Sequence, residues 1–364
     1  MKITVERDVF ADATSWVLRS VSSRASLPAL GGVLFDASGP KVRLAGTDLE
    51  LSGEALIEAK VDAPGTVVLP GRVLGEIARA LPEGAVHIEA TPQQAKIRCG
   101  SAEFTLRTLP LEDFPALAGP DPSAAAGTVP AEVFATAVSQ VTRAASTDEA
   151  RPVLTGTLID ATPDSLTMVA TDSYRLAVRK ISWSGPSEPV RRVVPARALA
   201  EAARASDGST DVAITLGDSQ ATFTVGDRTL TTRLIEGEFP NWGQLIPKEL
   251  PNELRLDRET LIEAVRRVGI LAQSGTPVRL DLGTSGAKLA AGSQDVGDAV
   301  EQVDGKYEGE PLEVAFNPQF LLDGLNAVEG GEATIAVRDG LKPGIVRAPE
   351  DDDGYLYLVM PVRI

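Results

Sequence analysis

Apolar positions along this chain keep two rhythms, and the rhythms take turns. Val73, Leu74, Ile77, Ala78 and Leu81 recur at the spacing of one helix face, leaving Gly75, Glu76 and Arg79 on the other. The same spacing returns at Leu199, Ala202 and Ala203, and again at Leu321, Leu325 and Val328. A second stripe runs through Val133, Phe134, Ala137, Val138 and Val141, with Pro130 at the first turn, where a missing N–H costs little. The pattern predicts helices over 7–24, 71–80, 131–143, 196–205, 258–267 and 317–329. Between them, VRLAGTD, LSGEALIEAKV, VHIEA, AKIRCG and AEFTLRTL alternate apolar with polar and are punctuated by Gly, Pro and Asp, as antiparallel strands are.

These rhythms repeat as one module written three times. VERDVFADATSWVLRSVSS, VPAEVFATAVSQVTRAAST and LDRETLIEAVRRVGILAQS open the copies; LPGRVLGEIARAL, VPARALAEAARA and FNPQFLLDGLNAV follow in each. Offsets are 124 to 125 residues between the first two copies and 122 to 127 between the second two. A period of about 120 residues is a self-sufficient domain rather than a solenoid repeat or a propeller blade. The expected domains are 1–127, 128–250 and 251–364, with linkers at ALAGPDPSAAAGTVP and near IPKELPNEL. Each should be an α+β unit of two similar halves, with two helices on one face of antiparallel sheets.

Composition limits the function classes. With 43% hydrophobic residues there is material for three cores, yet no apolar run approaches the ~18 residues of a membrane helix. MKITVERDVF lacks a signal-peptide apolar region, so the expected compartment is the cytoplasm and no membrane partner is expected. One cysteine, Cys99, excludes an intrachain disulfide and reads as a buried structural thiol. The single histidine, His87, lies in a strand and cannot build a triad, dyad or multi-His metal site. Asp48 and Asp172 sit at equivalent Thr-Asp steps and read as turn residues rather than a catalytic pair. Asp351, Asp352 and Asp353 lack the ligand spacing of an EF-hand and read as an acidic loop. No GxxxxGK[ST] occurs, so no catalytic residue, metal or cofactor is expected, and ATP-driven steps would belong to another protein.

In chain order, MKITVERDVF, Arg24 before LPALGGVLF, GTDLE, the LPGR helix, TLPLEDFP, ATDSYRLAVRK, VPARAL, EGEFPNWGQLIP and the closing YLYLVMPVRI resemble the bacterial β sliding clamps, processivity subunits of DNA polymerase III. The resemblance covers the whole chain. It implies a head-to-tail homodimer, a ring of six domains around duplex DNA held topologically and without sequence preference, with helices lining the hole.

The charge pattern is compatible with that implication. The chain carries −16, but its six predicted helical segments hold 11 Arg against 9 Asp and Glu. An acidic rim with a mildly basic lining would admit DNA without gripping a sequence. Arg72 and Arg197, at equivalent helix starts, are the expected DNA contacts, joined by Arg24, which matches a family position.

The resemblance also implies a pocket for short Gln-plus-hydrophobic peptides of the polymerase catalytic subunit, the clamp loader and repair polymerases. Matching positions are Leu154, Thr171, Tyr174, Arg175, Leu176, Pro240, Leu245, Phe320, Leu358 and Met360. Pro152, Val153 and Gln244 depart from the family pattern, the first two where aromatics are common and the third where a basic residue is. A dimer seam is implied between an edge strand carrying Phe104 and Leu106 and a helix carrying Ile270 and Leu271. A second reading keeps the three domains but makes them a scaffold for protein partners that does not encircle DNA.

Overall fold

The computed structural model describes residues 1–22, 27–117, 119, 121, 124–205, 210–272, 276–293, 296–349 and 354–363. Among these are six α-helices: α1 (Arg7–Val17), α2 (Gly71–Ala80), α3 (Ala131–Val141), α4 (Ala196–Ala205), α5 (Arg258–Gly269) and α6 (Pro318–Ala327). Each module thus holds two helices, and every strand pairing is antiparallel. The stripes read from the sequence are the faces that bury: Leu74, Ile77 and Ala78 on α2, Leu321 and Leu325 on α6.

The chain forms two compact units, Met1–Phe134 with Glu201–Leu234, and Ala135–Ala200 with Ile235–Ile364. The first contains a five-stranded sheet, ordered Lys60–Ala63, Lys2–Glu6, Ala85–Ala90, Gln94–Cys99, Ala102–Arg107. It also contains an eight-stranded sheet in which Arg228–Arg233 of the second module pairs with Leu51–Ile57 of the first. The second unit holds a four-stranded sheet and a nine-stranded one, where Arg175–Ser182 of the second module pairs with Tyr355–Val359 of the third. Sheets therefore run continuously across module boundaries.

Three expectations need correction. The first helix stops at Val17, followed by a 3₁₀ turn at Leu18–Ser20, instead of continuing to 24. Val21 is extended at φ −90°, ψ 133°, and its side chain would meet any Cβ placed on Gly46, so this segment packs against the sheet rather than winding on. LSGEALIEAKV is two strands, not one: Leu51–Ile57 belongs to the eight-stranded sheet and Lys60–Ala63 to the five-stranded. The stretch taken as linker between the first two modules includes a strand, Ala125–Val129, paired with Val212–Leu216.

Cys99 is buried, and its Sγ lies 3.2 Å from the Pro82 carbonyl. His87 sits in Ala85–Ala90, its Nδ1 3.0 Å from Thr4 Oγ1. Arg24 and Asp351 to Asp353 lie outside the described residues. No described helix is long and apolar enough to cross a membrane.

Candidate functional site

The second unit gathers most of the residues expected to receive a peptide, and a turn does the gathering. Thr171 Oγ1 donates to the Arg175 carbonyl at 2.6 Å and accepts from the Ser173 N–H; Asp172 Oδ1 accepts from the N–H groups of Tyr174 and Arg175. Ser173 is thereby held at φ 82°, a left-handed conformation rare outside glycine. Thr47 and Asp48 build the same turn around Leu49, at φ 78°, with the same four bonds. Both aspartates are turn residues, as the repeat positions suggested.

The turn throws Tyr174 outward, 60% exposed, and folds Arg175 inward. Arg175 Nε pairs with Asp172 at 3.0 Å, its Nη1 bonds Asp323 of α6, and its guanidinium lies 4.5 Å from the Phe320 ring centroid. Tyr174 stacks on the same ring at 6.5 Å. Burial alone would disfavour the guanidinium charge, but Tyr357, Asp323 and Asp172 outweigh it and hold the pKa above the ordinary arginine value. Burial raises the Tyr357 phenol well above the usual tyrosine range; its OH donates to the Phe320 carbonyl at 2.8 Å. The ring packs against Gly324, where any Cβ would come within 2.4 Å of it. Module two and module three are fastened here by one polar and aromatic network.

Beside it lies an apolar floor. Leu176 and Leu358 are buried in one cluster with Leu158, Val169, Val193 and Phe239, against which Val153, Trp242 and Ile246 pack. Thr171 is also buried. Leu245 and Met360 remain 49% and 38% exposed, Pro240 is exposed, and Leu154 is half-buried in the 3₁₀ turn Pro152–Thr155. The Met360 N–H donates to the Tyr174 carbonyl at 2.8 Å, setting its side chain next to the turn. Buried Thr171, Leu176 and Leu358 can act only as a floor, while Tyr174, Pro240, Leu245 and Met360 offer apolar surface to a ligand. Asp323 and Tyr357 were not singled out from the sequence, and Asp172 was read only as a turn residue, not as the partner of Arg175. Only the Thr-Asp step carried a signal, and it read as a turn.

Two of the three expected DNA contacts, Arg72 and Arg197, lie on helices. Arg72 of α2 is 92% exposed and 3.4 Å from Glu76, one turn on; Arg197 of α4 is also exposed. Arg79 and Arg204 repeat on the same two helices at the same offset of 125.

The strand carrying Phe104 and Leu106, Ala102–Arg107, is the edge of its sheet, bonded on one side only to Gln94–Cys99. Both side chains are half-buried on one face. Ile270, at the end of α5, is 77% exposed, and Leu271 beside it is half-buried. A further edge was not anticipated: Gly297–Asp304 bounds the four-stranded sheet and exposes Val300. Among the described residues no cluster of His, Cys, Asp and Glu is arranged to hold a metal.

Comparison with known proteins covers nearly all of this. The N-terminal, central and C-terminal domain models of the DNA polymerase III beta subunit match residues 1–118, 128–241 and 243–363. The beta sliding clamp of Streptomyces coelicolor is 41% identical over the full length of both chains, and the beta sliding clamp homolog GriR of Streptomyces muensis is 35% identical, covering 100% of this chain and 99% of the relative. The Bacillus subtilis sliding clamp superposes with a TM-score of 0.95 at 30% identity, covering 100% of this chain and 99% of that one. A Pseudomonas aeruginosa sliding clamp bound to griselimycin superposes at 0.94 with 29% identity over all of both chains.

Proposed function

The chain belongs to the DNA polymerase III beta-subunit family, and from that premise we propose how its surfaces divide the work of a clamp. Its function is that of a DNA sliding clamp, a processivity factor partnered with DNA and the polymerase, with no catalysis of its own. Homodimers and rings are typical of the family.

Two copies close head to tail into a ring, the free edge Ala102–Arg107 of one meeting the free edge Gly297–Asp304 of the other, with Ile270 and Leu271 covered at the seam. Each of these two strands ends its sheet with one hydrogen-bonding edge open, which supports that reading. Arg72 and Arg197, with Arg24, Arg79 and Arg204, face the DNA. Their hold is electrostatic and sequence-blind, weak enough against a chain of −16 that topology, not affinity, retains the duplex. Polymerase, loader and repair polymerases dock a short hydrophobic peptide on Tyr174, Pro240, Leu245 and Met360, over the floor of Leu176 and Leu358, in the cytoplasm.

The observation that carries this reading is the full-length match to all three domains together with exposed apolar side chains at the peptide and seam positions. The test is retention on circular DNA after loading with a matched loader and ATP. Loss of the protein only after the circle is cut establishes topological linkage; retention on linear DNA refutes it. Replacing Arg24, Arg72 and Arg197 with Glu should abolish stimulation of a processive polymerase while leaving peptide binding intact, and an unchanged polymerase rate would return the scaffold reading.

A further inference from the structure

The nine-stranded sheet continues beyond the peptide residues, and its register says what comes next. Thr171, Leu176 and Leu358 lie opposite one another across three neighbouring strands. Two residues further along each strand, Val169, Val178 and Leu356, joined by Leu158 of the next strand, form a second row on the same face, because side chains alternate with a period of two. The row after that is Asp160, Thr167 and Lys180. One sheet face thus grades from the peptide floor, through an apolar row, to a polar row.

A cleft of about 400 Å³ opens over the second and third rows. Val178 and Leu356 of the apolar row line it, together with Thr162, Ser165, Thr167, Lys180 and Arg347. Trp242 lines it too, and the same indole packs against the apolar cluster that holds Leu176 and Leu358. Floor and cleft therefore share a wall.

The charge in the cleft runs against the charge of the chain. Its one carboxylate, Asp160, is occupied by Arg191 at 3.2 Å. Arg347 Nη2 lies 3.4 Å from Glu253, while its buried Nε makes no hydrogen bond. Among the described residues no carboxylate pairs with Lys180. The −16 of the whole chain repels an acidic ligand at long range, but that field decays over about 8 Å at physiological salt, and among the described residues of the lining Lys180 and Arg347 supply the local charge.

We propose that this cleft is a second subsite of the peptide pocket, taking an acidic residue and its apolar neighbour from the segment that flanks a partner's hydrophobic motif. The proposal rests on the docking reading above. The apolar side chain covers Val178 and Leu356 beneath Trp242; the carboxylate pairs with Lys180 and the Arg347 guanidinium. Partners sharing one core motif would then be ranked by their flanks, and a clamp that must hand DNA from one partner to another gains a second, independent handle on affinity.

Fluorescence anisotropy on the full chain tests this with labelled Gln-Ala-Leu-Leu-Phe and with the same peptide extended by Glu-Leu-Glu at either end. One extended peptide should bind about fivefold tighter than the core, in keeping with one or two partly exposed ion pairs. Lys180→Glu should remove that gain and Lys180→Arg should keep it, while both leave the neutral core peptide unaffected. An extension that adds nothing to the wild type, or a gain that survives Lys180→Glu, overturns the subsite. Should the core peptide itself fail to bind, the docking reading falls and takes the subsite with it.

Discussion

Leu49 and Ser173 pay a conformational cost that glycine would not. Each is held in the left-handed region by a Thr-Asp pair whose side chains bond four backbone groups, and the left-handed well costs an L-residue about 1–2 kcal/mol. At Leu49, half exposed, Gly should relieve that strain and return part of it as unfolded-state entropy. Leu49→Gly is expected to stabilise the protein by about 0.5–1 kcal/mol, read as a higher urea midpoint; a lower midpoint would mean that the leucine side chain matters more than its backbone. The Thr-Asp steps were legible as turns because both residue types bond their own backbone. What the turns accomplish was not legible: which side chain Ser173 throws outward, and that Arg175 turns inward to Asp323, 148 residues away, depend on pairings no local pattern encodes.

Among the elements, α5 and α6 begin alike and differ in chemistry. Asp257 Oδ1 accepts from the Thr260 N–H and hydroxyl; Asn317 Oδ1 accepts from the N–H groups of Gln319 and Phe320. Hydrogen bonds from Thr260 lower the Asp257 pKa, so the cap contributes stability above the unfolded-state value and loses it as pH falls through the lower folded one. Below about pH 4 the wild type should therefore lose stability that Asp257→Asn retains, since an amide oxygen still caps. Equal acid sensitivity in thermal melts of the two would show that the carboxylate charge is idle there. Helices were the easiest elements to read, because an apolar stripe at helical spacing is a local signal. Strand partnership was harder: LSGEALIEAKV reads as one run, and nothing in it announces that its halves enter different sheets.

At the scale of the whole molecule, the proposed seam turns on Ile270 and Leu271. Ile270 is 77% exposed, a large apolar side chain left in water by the isolated chain. Ile270→Ala with Leu271→Ala should yield a monomer in analytical ultracentrifugation; a variant that still sediments as a dimer would move the seam elsewhere. The repeat, the fold class and the family were readable end to end, since three copies of one pattern reinforce each other. The second edge of the proposed seam, Gly297–Asp304, was not, because an edge strand differs from an interior one only by a neighbour that is missing.

The sheets that cross module boundaries have a further consequence. The middle repeat supplies Arg228–Arg233 to one sheet and Arg175–Ser182 to another, and its residues are divided between the two compact units. The length of chain that was duplicated is thus out of step with the length that folds. Excised at its sequence borders, the middle copy would bare two long strand edges at once, with their N–H and C=O groups unpaired. Such open edges are templates for pairing with another chain, so the middle copy cut out at those borders is expected to self-associate.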